Sequence, residues 1–194
     1  MYNYPNQKKV QNQEIVDLNN GKARGMNFED FISQANSYYN AHNIANIHKK
    51  PTPIKIIKVV NYKETIYNKS KITEAVFDKK STTDYNGIYK GYYIDFEAKE
   101  TINKTFNIKS NLHKHQIDHL LSIKSHGGIA FILISMKYYN KIYAIDIKKL
   151  LKHQKVLVTI EFLKEQGYEV NQTNSLYLDY LTYVDDLLER KSNG

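Results

Sequence analysis

The chain has 194 residues, enough for one sizeable core and too few for two comfortable domains. With no cysteine, it excludes a disulfide framework, a thiol nucleophile and a zinc–cysteine site. A net charge of +8 favours a polyanionic partner, while 41% hydrophobic and 25% charged residues are values of a globular chain.

Residues 1–24 read as a flexible arm, rich in Asn, Gln and Lys, and 25–194 as a single domain. The first residues lack the basic-then-apolar order of a signal peptide. The most apolar stretch, 128–135, is of strand length rather than bilayer length. The expected setting is therefore reducing and cytoplasmic, with no membrane partner. A helix is predicted from Phe28 to about Asn40, with Asn27 as its N-cap and Asp30 at the capping-box position. Phe28, Phe31, Ile32, Ala35 and Tyr38 or Tyr39 recur at helical spacing. Glu29 sits in the first turn, at the border of that apolar face. It is either an ordinary N-terminal acid or one that reaches a basic or metal-bearing cleft.

Ile44 to Ile47 reads as a short strand, broken by a basic turn over 48–53. Strand character over 54–60 and 72–77, with a polar stretch between, makes 54–81 a long hairpin. Its outer part has too few apolar residues to be buried. Lys55, Lys58, Lys63, Lys69 and Lys71 stud it, with Lys49 and Lys50 just before. These lysines are candidates for phosphate contact, and a solvated loop is the alternative.

The chemistry concentrates further on. Residues 87–99 predict a tight hairpin turning near Lys90-Gly91, whose second strand carries Glu97 and Lys99. Alternation puts Asp95, Glu97 and Lys99 on one face, turned to a cleft, and Ile94, Phe96 and Ala98 on the core face. Asp84 lies thirteen positions before Glu97. Two hard carboxylates with a lysine two positions on can hold a divalent ion beside a scissile phosphate. Residues 111–125 predict a helix ended by Gly127-Gly128. Gln116 falls on its core-facing stripe, either as a satisfied core amide or as a partner of the metal centre. Strands at 129–135 and 141–147 follow, then a helical C-terminal third. The order gives a mixed sheet flanked by helices, α/β or α+β.

The strings Ile47-His-Lys-Lys-Pro-Thr-Pro53, Ser81-Thr-Thr-Asp-Tyr-Asn-Gly-Ile-Tyr-Lys-Gly91, Tyr93-Ile-Asp-Phe-Glu-Ala-Lys-Glu-Thr101 and His115-Gln116 resemble the RecU family of Holliday-junction resolvases. The likeness runs in register from about Arg24 to Ser135. It implies a restriction-endonuclease-like fold and a homodimer that cuts four-way DNA junctions symmetrically during recombination and repair, with Mg²⁺ as cofactor and Mn²⁺ as a substitute. By the same resemblance Asp84 and Glu97 match the metal carboxylates, and Lys99 the transition-state lysine. Thr82 and Gln116 match positions of the metal site, and Glu29 an acid from the first helix. Segment 54–81 matches a stalk projecting towards the junction, with Arg24 and the lysines above as DNA contacts. A branch-migration helicase or recombinase is the implied partner. Tyr92 stands where a basic residue is expected, Asn107-Ile108 replaces a Pro-containing pair, and the stalk tip and the chain beyond about 148 match poorly.

Three rival readings remain at this level. One is a nuclease of the same fold acting on ordinary duplex. Another is a non-catalytic junction-binding or helicase-modulating protein, against which the intact Asp84, Glu97 and Lys99 argue. The third is a zinc site at His113, His115 and His119, two of which lie one helical turn apart.

Overall fold

Residues 27–63, 68–77, 82–153, 155–171 and 178–192 are described in a computed structural model. Helix α1 (Phe28–Ala41) begins at the expected capping box. Asn27 Oδ1 accepts the Asp30 N–H and Asp30 Oδ2 accepts the Asn27 N–H, each at 2.9 Å. Phe28, Ile32, Ala35 and Tyr39 bury its apolar stripe. Strand β1 (Ala45–Lys49) follows and runs through His48 and Lys49, past the predicted break. Pro51 and Pro53, which cannot continue a ladder, end it instead. Among the described residues, strands β2 (Ile54–Lys63) and β3 (Asn68–Phe77) pair only with each other, antiparallel, as a separate two-stranded ribbon.

The chain then enters the hairpin β4 (Tyr85–Tyr89) and β5 (Tyr92–Thr101). Lys90 and Gly91 both have positive φ, 49° and 81°, which matches the right-handed twist of a two-residue hairpin. Pairing runs from Tyr89↔Tyr92 to Tyr85↔Phe96. One step further along that register sets Asp84 opposite Glu97. The thirteen-residue spacing of the two acids is thus a consequence of hairpin geometry. Gly87 lets β1 approach, since a Cβ there would lie 2.1 Å from the Asn46 carbonyl oxygen.

Strand β6 (Thr105–Asn107), helix α2 (Ile108–Asn111) and helix α3 (Lys114–Ser125) lead to β7 (Ile129–Met136) and β8 (Lys141–Asp146). The helix predicted over 111–125 therefore starts at 114. Leu112 and His113 are extended and separate it from α2. The C-terminal third holds helices α4 (Ile147–Lys152), α5 (Ile160–Gln166) and α6 (Leu181–Ser192), with two short strands, β9 (Leu157–Thr159) and β10 (Tyr168–Glu169), that helical spacing did not foretell.

The main sheet has the order β1-β4-β5-β7-β8-β10, and β5–β7 is its parallel pair, joined through α3. Helices α1 and α6 contribute to the core on one face, and α3, α4 and α5 to that on the other. This is the mixed sheet flanked by helices that the element order implied. Every residue of β7 is buried, as a central strand covered on both faces requires. A cross-strand stack backs the hairpin. Tyr85 lies on Phe96 and Phe96 on Phe131, each with ring centroids 4.9 Å apart and nearly parallel planes.

Candidate active site

Along β5, Ile94 and Phe96 point into the α1/α6 core, while Asp95 and Glu97 point to the opposite face, beneath α3. That face is not an open cleft. Asp95 and Glu97 are both fully buried, and of the charged set only the Lys99 side chain keeps some exposure, 24%. Alternation assigns a strand residue to a face but not what covers the face. Here α3 supplies Gln116 and His119 as the cover.

Glu97 is the centre of the arrangement. Its Oε1 accepts from Gln116 Nε2 at 2.5 Å and from Lys99 Nζ at 2.6 Å. Gln116 is itself fixed, because its Oε1 accepts the His113 N–H at 3.0 Å at the start of α3. Gln116 on the core-facing stripe thus meets a buried polar partner, Glu97. Glu97 Oε2 is buried with no hydrogen-bond donor. Asp84, partly buried, anchors its Oδ2 on the Ala98 N–H at 3.1 Å. Burial, then the charge of Asp84, pushes the Glu97 pKa up to about 7 against the opposing pull of Lys99.

An orphaned carboxylate oxygen beside a second carboxylate fits a hard divalent cation. Mg²⁺ characteristically takes one or two protein carboxylates and fills its other positions with water and substrate oxygens. Mn²⁺ accepts the same oxygen donors. Asp84 and Glu97 are the residues that would hold the ion. Among the described residues no group of three His, Cys, Asp or Glu comes together. That also removes the histidine site. The rings of His113 and His115 stack on each other, whereas His119 Nε2 turns to Asp95 at 3.0 Å.

The remaining expected residues divide. The Thr82 hydroxyl accepts from Lys50 Nζ at 3.2 Å, on the side of the turn that meets Asp95. Glu29 pairs with Lys49 Nζ at 2.5 Å, with both side chains about half exposed. Burial first, then the charges of Glu29 and Asp84, raise the pKa of Tyr85. Two of the expected phosphate contacts are thus engaged within the protein. Lys49 is ion-paired, and the Lys50 side chain is only 14% exposed and bonded to Asp95 at 2.7 Å. Lys55, Lys58 and Lys71 are exposed on the ribbon, where Lys63 and Lys69 occupy strand positions further out. Arg24 lies outside the described residues.

What the sequence did not single out is a second buried cluster beside Glu97. Asp95 accepts from Lys50 Nζ, from the Thr83 hydroxyl, from Tyr93 Oη at 3.1 Å and contacts His119. Its signal was adjacency, since Thr83 precedes Asp84 and Asp95 lies two residues before Glu97.

Residues 23–186 match the family described as RecU, recombination protein U. A Holliday junction resolvase RecU of Leuconostoc mesenteroides is 46% identical over 171 residues, covering 86% of this chain and 82% of that protein. The Holliday junction resolvase RecU of Bacillus subtilis is 38% identical over 208 residues, covering 100% and 98%. Among solved structures, Hjc of Archaeoglobus fulgidus, a Holliday junction resolvase, matches with a TM-score of 0.42 at 10% identity, over 73% of this chain and 94% of that one. The family match continues to residue 186, well past Ser135, where the likeness in register was expected to end, and through the stretch beyond about 148 expected to match poorly. With that extent of match, and relatives at this identity over nearly their whole length, the chain belongs to the RecU family.

Proposed function

We propose that this chain is a Mg²⁺-dependent endonuclease that resolves Holliday junctions during homologous recombination and DNA repair. Paired, symmetric cuts would come from a homodimer. The observation that carries this reading is the Asp84–Glu97 pair, with the unpaired Glu97 Oε2 and Lys99 beside it, in a chain whose relatives bear the name Holliday junction resolvase.

Asp84 and Glu97 would hold the divalent ion, which when bound would supply polarisation of the scissile phosphate and activation of the attacking water. One P–O bond forms from water as the opposite P–O bond breaks, so the phosphorus inverts. Lys99 Nζ, held within 2.6 Å of Glu97, stands ready to offset charge on the pentacoordinate phosphate. A lysine suits this task as a compact charge on a flexible stem. Gln116 holds Glu97 Oε1 and so leaves Oε2 for the cation. Thr82 and Glu29 would act from the rim, where they meet Lys50 and Lys49 respectively.

Each chain has one such centre, and two matched cuts need two. A two-fold dimer supplies them at symmetric positions. The β2–β3 ribbon is the stalk in this reading, carrying Lys55, Lys58, Lys63, Lys69 and Lys71 towards the junction, where shape and phosphates are read more than base edges. In this reading the enzyme would work in the cytoplasm, alongside a branch-migration helicase or recombinase.

The test is Asp84→Asn. It should bind a four-way junction as the wild type does and cut it at least about a hundredfold more slowly. Unchanged cutting would remove the metal assignment.

A further inference from the structure

The geometry points to Lys50 as a positioning residue. Its ammonium ties the turn bearing Thr82, Thr83 and Asp84 to the catalytic strand, and so sets how well Asp84 and Glu97 hold a divalent cation. The inference rests on the metal reading of those two carboxylates.

The backbone N–H of Lys50 donates to the Asp84 carbonyl at 2.8 Å, one step past the end of the β1–β4 ladder. Its side chain then runs inward. Nζ lies 2.5 Å from Thr83 Oγ1, 2.7 Å from Asp95 Oδ2 and 3.2 Å from Thr82 Oγ1, with His119 Nε2 at 3.4 Å. An ammonium has three protons, and three oxygens from two separate segments meet it here. None is left for a phosphate. Lys50 was expected among the DNA contacts, and its bonds give it this different task.

The partner on the strand is equally committed. Asp95 is fully buried and receives Lys50, the Thr83 hydroxyl and Tyr93 Oη, with His119 alongside. It stands two residues before Glu97 on the same face of β5, while Thr83 immediately precedes Asp84. The Lys50 ammonium therefore joins the turn to the strand, one residue from Asp84 at Thr83 and two from Glu97 at Asp95. The β4–β5 ladder makes its last pair at Tyr85↔Phe96, and beyond it the bonds to Asp84 come from Ala98 and from the Lys50 backbone. Without the ammonium, the turn keeps the Thr83–Asp95 bond but loses the charged tie that gathers Thr82, Thr83 and Asp95 on one group.

Removing one member of a buried ion pair strands the other, whereas replacing both is tolerated. The discriminating variant is therefore Lys50→Met with Asp95→Asn, which leaves the net charge of the site unchanged. Any loss of metal affinity then reports position rather than Coulomb attraction. The experiment titrates Mn²⁺ into the metal-free, full-length protein without DNA, by electron paramagnetic resonance. Junction binding without divalent metal and cleavage as a function of Mg²⁺ are measured in parallel. The double variant should bind Mn²⁺ about tenfold or more weakly, as loss of outer-sphere support typically does. Half-maximal cleavage should need correspondingly more Mg²⁺, with most of the rate returning at saturation. Junction affinity and its salt slope should stay at wild-type values, and Lys50→Arg, which keeps the charge and the donors, should restore Mn²⁺ binding. If the double variant does not fold, Lys50→Gln is titrated instead; it leaves the Asp95 charge unopposed, which by Coulomb attraction would favour a cation, so a fall in Mn²⁺ affinity there still reports position. Wild-type Mn²⁺ affinity in these variants, or a loss confined to junction affinity with a shallower salt slope, overturns the assignment. Failure of the metal reading itself would look different, as Mn²⁺ binding that Asp84→Asn leaves unchanged.

Discussion

Strand β5 and the two strands of the ribbon are each ten residues long and mix apolar with charged side chains, yet they live in opposite surroundings. On β5 both Ile94 and Phe96 are fully buried, and so are the acids Asp95 and Glu97. On the ribbon Ile54, Ile56, Ile57, Val59, Ile72, Val76 and Phe77 are all exposed, Phe77 to 80%. The difference lies in neighbours. Strand β5 has β4 and β7 at its sides and helices over both faces, whereas β2 and β3 have each other. A carboxylate that must hold a cation in a fixed place needs the first situation, where every oxygen but one is spoken for. An element that must reach another molecule needs the second. In the proposed function, chemistry and recognition are separated by position in the sheet, not by composition.

A pair of truncations presses hardest on that contrast. Phe96→Ala removes the middle ring of the Tyr85–Phe96–Phe131 stack and should cost about 3–5 kcal/mol in denaturant unfolding. Phe77→Ala, the same change on the ribbon, should cost less than about 0.5 kcal/mol. Equal costs would mean that the ribbon is packed in solution, against something the isolated chain does not show. Excision of the ribbon, with Pro53 joined to residue 78 by a short Gly-Ser link, tests the other half. Melting should be nearly unchanged, while the preference for a four-way junction over duplex falls about tenfold or more, as a lost set of phosphate contacts implies.

Smaller effects should follow from pH. Burial and Asp84 raise the Glu97 pKa from 4.5 to about 7 in the metal-free fold. Between those values the folded chain binds more protons at this group than the unfolded chain does. Its contribution to stability is therefore complete below pH about 4.5 and is lost as pH rises through about 7. A cation must displace that proton, so Mn²⁺ affinity should climb about tenfold per pH unit up to 7 and level off above about 8. Affinity independent of pH over that window would place the cation away from Glu97. The smallest effect belongs to single ribbon charges. Lys58→Ala should lower the salt slope of junction binding by about one, the value of a single phosphate contact. Lys50→Gln should leave that slope untouched, because its charge is spent inside the protein.

Much of this was legible before any coordinates. Asn27 and Asp30 announced α1 because a capping box acts within four residues. Asp84, Glu97 and Lys99 could be found because hairpin register and strand alternation are local rules, and the family strings lie on that same hairpin. What stayed hidden depends on contacts between distant segments. Nothing near Lys50 in the chain distinguishes it from Lys49, yet one is an exposed partner of Glu29 and the other a buried partner of Asp95. The burial of Glu97 depends on α3 lying over β5, and the three residues of β9 are a strand only because β6 pairs with them. Leu112 and His113, inside a helical-looking stretch, interrupt the helix so that Gln116 becomes the third residue of α3 and can reach Glu97.

The most direct test of the account is cleavage of a mobile four-way junction and of a linear duplex of the same sequence by the wild-type protein in Mg²⁺. Paired, symmetric nicks in the junction, with the duplex left whole, are the expected result. Equal cutting of both, or no cutting of the junction, would contradict it.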